Sequence, residues 1–215
     1  MGNDINSLYE ITKPLKIDAF YSFFKVHYKK DFRFDGEIHN FWECVYVIDG
    51  GLRVSADDRI YNLSDGDIIF HKPMETHKFT VTHPNGATLL IFSYNLQGKV
   101  AKLLKNKVFS LNEKEKMIVS DLLDFTTPQT EEHPEYTLYQ YLDTSEFYLE
   151  RLSVYLYQLF LSLADNGIVS ETLDTTETQL FKKAVDYMKV LISSPLTVSD
   201  IAKHCAISES GLKRL

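Results

Sequence analysis

The chain has 215 residues, of which 44% are hydrophobic and 25% charged, with a formal net charge of −7 and two cysteines. That is ordinary for a globular chain able to build a sizeable core, and it is the wrong balance for a protein that coats nucleic acid. Cys44 and Cys205 are too few and too far apart for a disulfide framework or a cysteine-based zinc site, which suits a reducing cytoplasm, and no apolar run approaches the roughly 18 residues of a membrane span.

The first hundred residues read as all-β. Apolar and aromatic runs at "IDAFYSFFKVHY", "FWECVYVI", "LRVS", "RIYNL", "DIIF", "HKFTVT" and "ATLLIFSY" are separated by turn chemistry at Asp49-Gly50-Gly51, Asp57-Asp58, Asp65-Gly66 and Pro84-Asn85-Gly86. Short strands at this spacing indicate a sandwich or barrel. In "THKFTVT" alternation puts His77, Phe79 and Val81 on one face and the polar residues on the other. The same parity sets Trp42 with Cys44, Tyr46 and Ile48, opposite His39, Phe41 and Glu43. Trp42 is therefore expected in the core between the barrel wall and a covering helix.

From Ser110 onward the period becomes helical. Ser110 and Glu113 form a capping-box pattern ahead of "NEKEKMIVSDLLDF", and the acidic "TTPQTEEHPEY" reads as a loop. A second helix is expected over about Thr144 to Asn166. Arg151, Gln158, Ser162 and Asp165 make a narrow polar stripe there while apolar residues cover most of the circumference, so the helix needs two packing neighbours, either within its own domain or in a second subunit. "SETLDTTE" reads as a linker, and Thr176 with Gln179 suggests a cap for a further amphipathic helix ending near Pro195.

"TVSDIAKHCAISESGLKRL" reads like the first part of a helix-turn-helix. Val198, Ile201 and Ala202 form the buried side of one helix, Ile207 closes the turn, Ser208 caps the next, and Ser210, Lys213 and Arg214 are left outward. From Thr178 to Leu215 six Lys and Arg stand against three acids, a basic end on an acidic body.

"GEIHNFWECVYVIDGG" followed by "LSDGDIIFHKPMETHKF" resembles the signature strand pairs of a cupin barrel, and "LTVSDIAKHCAISESGLKRL" resembles the start of the DNA-binding domain of the AraC family of bacterial transcription regulators. The resemblance implies an α+β chain: a cupin-like β-barrel, or double-stranded β-helix, at residues 1–108, a helical dimerisation and support region at 109–169, a linker at 170–177, and part of an all-α helix-turn-helix domain at 178–215. It implies an effector-responsive, sequence-specific DNA-binding regulator without catalysis, working as a homodimer on DNA with a small-molecule effector, away from membranes. Because only part of the family's reader is present, the 215-residue form is expected to be a piece of a longer regulator and to bind promoter DNA weakly.

The effector site is expected to comprise His39, Phe41, Glu43, His77 and Phe79, an aromatic wall with a few polar groups, and the DNA contacts Ser210, Lys213 and Arg214. Cupin metalloenzymes place two histidines where this chain has His39 and Phe41. That substitution leads to the expectation of no metal and no cofactor, although His39, Glu43 and His77 formally make up a two-histidine, one-carboxylate set. The alternatives are a metal-dependent cupin enzyme built on those three residues, and a dimeric interaction module.

Overall fold

Trp42–Ala56 form one continuous strand of 15 residues, although the Asp49-Gly50-Gly51 segment had the composition of a turn. The strand bends there instead of ending. Gly50 has φ of 99°, and a Cβ on it would lie 2.3 Å from the carbonyl oxygen of Gly86 and 2.8 Å from Cα of Ala87, so only glycine allows this crossing. The bend lets one strand serve two sheets.

The computed structural model describes residues 10–126, 128–166, 169–170, 176–191 and 195–213. In chain order the strands are β1 (Leu15–Tyr28), β2 (Arg33–Glu37), β3 (Trp42–Ala56), β4 (Arg59–Ser64), β5 (Asp67–His71), β6 (His77–Val81) and β7 (Ala87–Gly98). They are followed by α1 (Lys99–Leu104), β8 (Val108–Ser110), α2 (Glu113–Phe125), β9 (Gln129–His133), β10 (Tyr136–Gln140), α3 (Glu146–Asn166), β11 (Val169–Ser170), α4 (Thr176–Val190), α5 (Val198–Cys205) and α6 (Glu209–Leu212). One sheet runs β11-β8-β5-β3-β7-β1-β10-β9. The other pairs β2 with β6 and the second half of β3 with β4 and β6, all antiparallel. This α+β arrangement is the cupin-like barrel with helices that the sequence suggested.

Alternation along β3 and β7 divides the apolar residues into two cores. Val45, Val47, Leu52, Val54, Val81, Leu89 and Ile91 fill the space between the sheets. Trp42, Cys44, Tyr46, Phe70, Phe92 and Tyr94 face the other way, onto Leu152, Leu156 and Phe160 of α3. Trp42 thus lies under the covering helices, as parity indicated.

Four local expectations are corrected. Within "TTPQTEEHPEY", Gln129–His133 is a strand that pairs with β10, and β10 extends β1 (Val26↔Leu138), so pairing on a sheet edge overrides the loop-like composition; Thr127 of that stretch lies outside the described residues. The cap of α2 is Asn112, boxed with Glu115, not Ser110 with Glu113; Ser110 is occupied in β8, where its hydroxyl donates to Asp67 at 2.6 Å. Val198, expected inward, is 43% exposed at the first position of α5. Thr176 falls inside α4, and most of the proposed linker lies outside the described residues.

Phe160, fully buried, meets the rings of Tyr94 at 5.3 Å and Phe70 at 5.5 Å, and so joins α3 to the barrel wall. Phe160→Ala is expected to cost about 3–5 kcal/mol in chemical denaturation, whereas Gln158→Ala on the exposed side of α3 should stay within about 0.5 kcal/mol.

Candidate functional site

Four titratable side chains converge inside one end of the barrel. The ligand atoms of Glu37, His39, Glu43 and His77 all lie within 4.8 Å of one another. His77 Nε2 is 3.2 Å from Glu43 Oε1 and 3.6 Å from Glu37 Oε1. His39 Nε2 is 3.9 Å from Glu37 and 4.0 Å from Glu43. His39, Glu43 and His77 were anticipated as a set, and the fold brings them together.

Glu37 was not anticipated. It reaches the cluster because the register of β2 against β6 shifts between Phe34 and Glu37, which sets Glu37 opposite His77. Gly36 makes the shift with φ of 103°, where a Cβ would stand 2.8 Å from the carbonyl oxygen of His77. The signal in the sequence was the "DGE" triplet, a place where glycine inside a strand marks a bulge or a close backbone approach.

Both histidines are oriented by backbone carbonyls. His39 Nδ1 lies 3.0 Å from the carbonyl oxygen of Phe41, and His77 Nδ1 lies 3.2 Å from that of Glu75. A carbonyl only accepts, so each Nδ1 carries a proton and each ring turns its Nε2 into the cluster, where that atom accepts if the ring is neutral and donates if it is protonated. Both Nε2 atoms are buried without a hydrogen-bond partner. Two buried imidazole nitrogens facing two carboxylates leave hydrogen-bonding capacity for a bound group between them.

Charge in the cluster is settled by opposing effects. Burial works to raise the Glu43 carboxyl, but the hydrogen bond to His77 and the nearby imidazoles of His71, His77 and His39 outweigh it, and its pKa falls below the usual 4.5. Burial works to lower His77, but Glu43 and the Glu75 carbonyl outweigh that and raise it above 6.5. Both shifts favour a charged pair, the Glu43 carboxylate facing a protonated His77. Ser93 steadies it, donating to Glu43 Oε2 at 3.3 Å.

His71 belongs to a neighbouring network. Its ring stacks on that of His77 at 4.1 Å, and Nδ1 lies 2.6 Å from Glu75 Oε1. Burial holds His71 below its usual value, so the neutral ring donates to a Glu75 carboxylate whose charge Lys72 balances at 2.6 Å. Phe41 is half-buried and stacked face to face on His39 at 3.9 Å and on Tyr21 at 4.2 Å, so it backs the imidazole. Phe79 lies deeper, against Phe34 at 5.4 Å and Tyr28 at 5.5 Å. The Tyr28 phenol, pushed up to about 12 first by burial and then by Tyr136, Glu43 and Glu37, stays protonated.

At the other end of the chain, Ala206 with φ of 58° turns α5 towards α6, and Ser208 accepts from Gly211 N at 3.0 Å and caps α6, as its place in the sequence indicated. Ser210 is exposed and its hydroxyl meets that of Ser208 at 3.0 Å. Lys213 is exposed and lines a cleft with barrel residues. Arg214 lies outside the described residues.

The Glu43–His77 pair gives stability a definite pH window. The lowered Glu43 contributes fully above 4.5 and loses its contribution as pH falls through its folded value; the raised His77 contributes fully below 6.5 and loses its contribution as pH rises through its folded value. The stability difference between wild type and Glu43→Gln should therefore be largest between about pH 4.5 and 6.5 and shrink on both sides. Urea denaturation across pH measures this, and a difference flat from pH 4 to 9 would show that the two groups do not pair.

The AraC-like ligand binding domain family matches residues 23–104. No curated protein matches the sequence. Among solved structures, an RmlC-like cupin from Shewanella frigidimarina is 21% identical over 44% of this chain and 87% of its own, with a TM-score of 0.31. An apo variant of ToxT from Vibrio cholerae is 9% identical over 96% of this chain and 75% of its own, with a TM-score of 0.45. A second ToxT structure is 13% identical over 90% and 74%, with a TM-score of 0.41. The residues that match this family run from β1 into α1 and include all four members of the interior cluster.

Proposed function

We propose that the chain is an effector-responsive transcription regulator in which a small molecule is sensed at the Glu37, His39, Glu43 and His77 cluster and DNA is engaged through the helix-turn-helix segment. The observation that carries the sensing half is the pair of buried, unpartnered Nε2 atoms facing two carboxylates. Such a cluster is net negative once His77 alone is protonated, so it repels anions and suits an effector that brings hydroxyl or ammonium donors. Glu37, 45% exposed in its side chain, gives the cluster an edge open to solvent. Phe41 and Phe79 supply aromatic surface beside it.

The DNA half is supported by the capped α5 and α6 with Ser210 and Lys213 exposed. Helix α4 packs on both α5 and strand β4, so it links barrel and reader. An effector shifts DNA binding only through different affinities for the two arrangements of that link. Nothing in this scheme requires catalysis. A homodimer fits the outer side of α3, where Phe147, Val154 and Leu161 are 83%, 56% and 41% exposed and seven residues apart, a spacing that brings them onto one seam.

The same two imidazole nitrogens and two carboxylates also form a donor set for a divalent transition-metal ion. Glu37 supplies the fourth group that the Phe41 position lacks. In this second reading His39, His77, Glu43 and Glu37 would hold the ion, which would bind hard oxygen donors of the effector, and the carbonyls of Phe41 and Glu75 would keep the rings aimed.

A thermal-shift screen of a polyol, amine and amino-sugar collection, with Zn²⁺ and Mn²⁺ tested alone, separates these outcomes. A true effector at about 100 times its dissociation constant should stabilise the fold by roughly 2.7 kcal/mol, or about 5–11 °C for a chain of this size. Glu43→Ala should remove most of the shift, while Trp42→Phe should lower the baseline and keep it. Stabilisation by metal alone, lost in Glu37→Ala and His39→Ala, selects the second reading. A shift lost in Trp42→Phe but not in Glu43→Ala would refute an interior site.

A further inference from the structure

The outer face of the smaller sheet carries the opposite charge. Arg33 and Arg53 both stand beside Thr80, in one row across β2, β6 and β3. Lys78 stands opposite Ser55 in the row two residues along. With strands about 4.8 Å apart, the two arginine backbones are roughly 10 Å apart with a single hydroxyl between them.

These groups line a cleft of about 680 Å³, and Lys213, at the end of α6, lines it from the other side. Among the described residues that line it, Asp31 and Asp35 are the acids, so cations outnumber anions there in a chain of net charge −7. Among the described residues Arg33, Lys78 and Lys213 form no ion pair. The cleft is concave and of the size of small-molecule sites, about 300–1,000 Å³, which fits a compact ligand better than a duplex.

We propose that this cleft binds a small polyanion, a metabolite carrying phosphate or several carboxylates. Arg33 and Lys78 supply the charge, as a guanidinium fork suits both groups. Thr80 and Ser55 supply hydroxyl donors, and Lys213 closes the site. The site is separate from the interior cluster and takes ligands that cluster rejects. Its consequence for DNA rests on the function proposed above: a polyanion that engages Lys213 withdraws from the reader a cation otherwise available to phosphates.

Calorimetric titration of the whole chain with sodium pyrophosphate, with tricarballylate and with a nonspecific 20-base-pair duplex tests this. One of the small anions should bind with a stoichiometry of one, the phosphate and carboxylate arms showing which source is preferred. Its affinity should fall at least tenfold in Arg33→Gln and in Lys213→Gln, both at exposed positions, and be unchanged in Lys102→Gln on α1. Binding of neither small anion, binding indifferent to Arg33→Gln and Lys213→Gln, or binding of the duplex alone would each overturn the proposal, the last by making the cleft a track for DNA phosphates. None of these outcomes bears on the interior effector site, which Glu43→Ala reports independently.

Discussion

The crossing of β3 over the start of β7 at Gly50 is the constraint on which the rest of the molecule depends. Because no side chain fits between Gly50 and the Gly86 carbonyl, the strand bends without breaking and belongs to both sheets. Its first half presents Glu43 inward and Trp42 and Cys44 towards the helices. Its second half brings Arg53 and Ser55 onto the outer face beside β6. One bent strand therefore carries groups of three environments: the polar interior, the helix-facing core and the charged exterior.

The interior cluster is costly unless something occupies it. Two carboxylates gathered within 4.8 Å of each other repel, and the fold holds the histidines against them with carbonyl hydrogen bonds, the Phe41 stack and the His71 stack. Such arrangements are characteristic of sites, because a purely structural core would reach the same stability with apolar groups of similar volume. The Glu75, Lys72 and Asp57 chain next to it, by contrast, is joined by contacts of 2.6 Å along its length. It supports His77 through the Glu75 carbonyl and leaves nothing unsatisfied to offer a ligand.

Much of this was legible in the sequence where a period of two or a cap residue was present. The inward set His77, Phe79 and Val81, the helix-facing Trp42 and the Ser208 cap all follow from local pattern. What escaped was set by partners distant in sequence. Glu37 joins the cluster through a register shift against β6. Asp49-Gly50-Gly51 has the composition of a turn, and only the neighbouring Gly86 makes it a bend. The β9 strand, "QTEEH", has no apolar face at all and exists because β10 is there to pair with it. Lys213 was read as a DNA contact from its outward place on a helix, and its position facing the barrel's basic face depends on how α4 docks on β4.

Side-chain ¹⁵N resonances of the histidines, followed while an effector identified by stabilisation is titrated into the uniformly labelled chain, test the interior site most directly. Saturable changes at Nε2 of His39 and His77, with His133 and His204 at the periphery unmoved, are the result expected. Changes confined to the exposed histidines, or none at Nε2 of His39 and His77 at saturation, would contradict effector sensing inside the barrel.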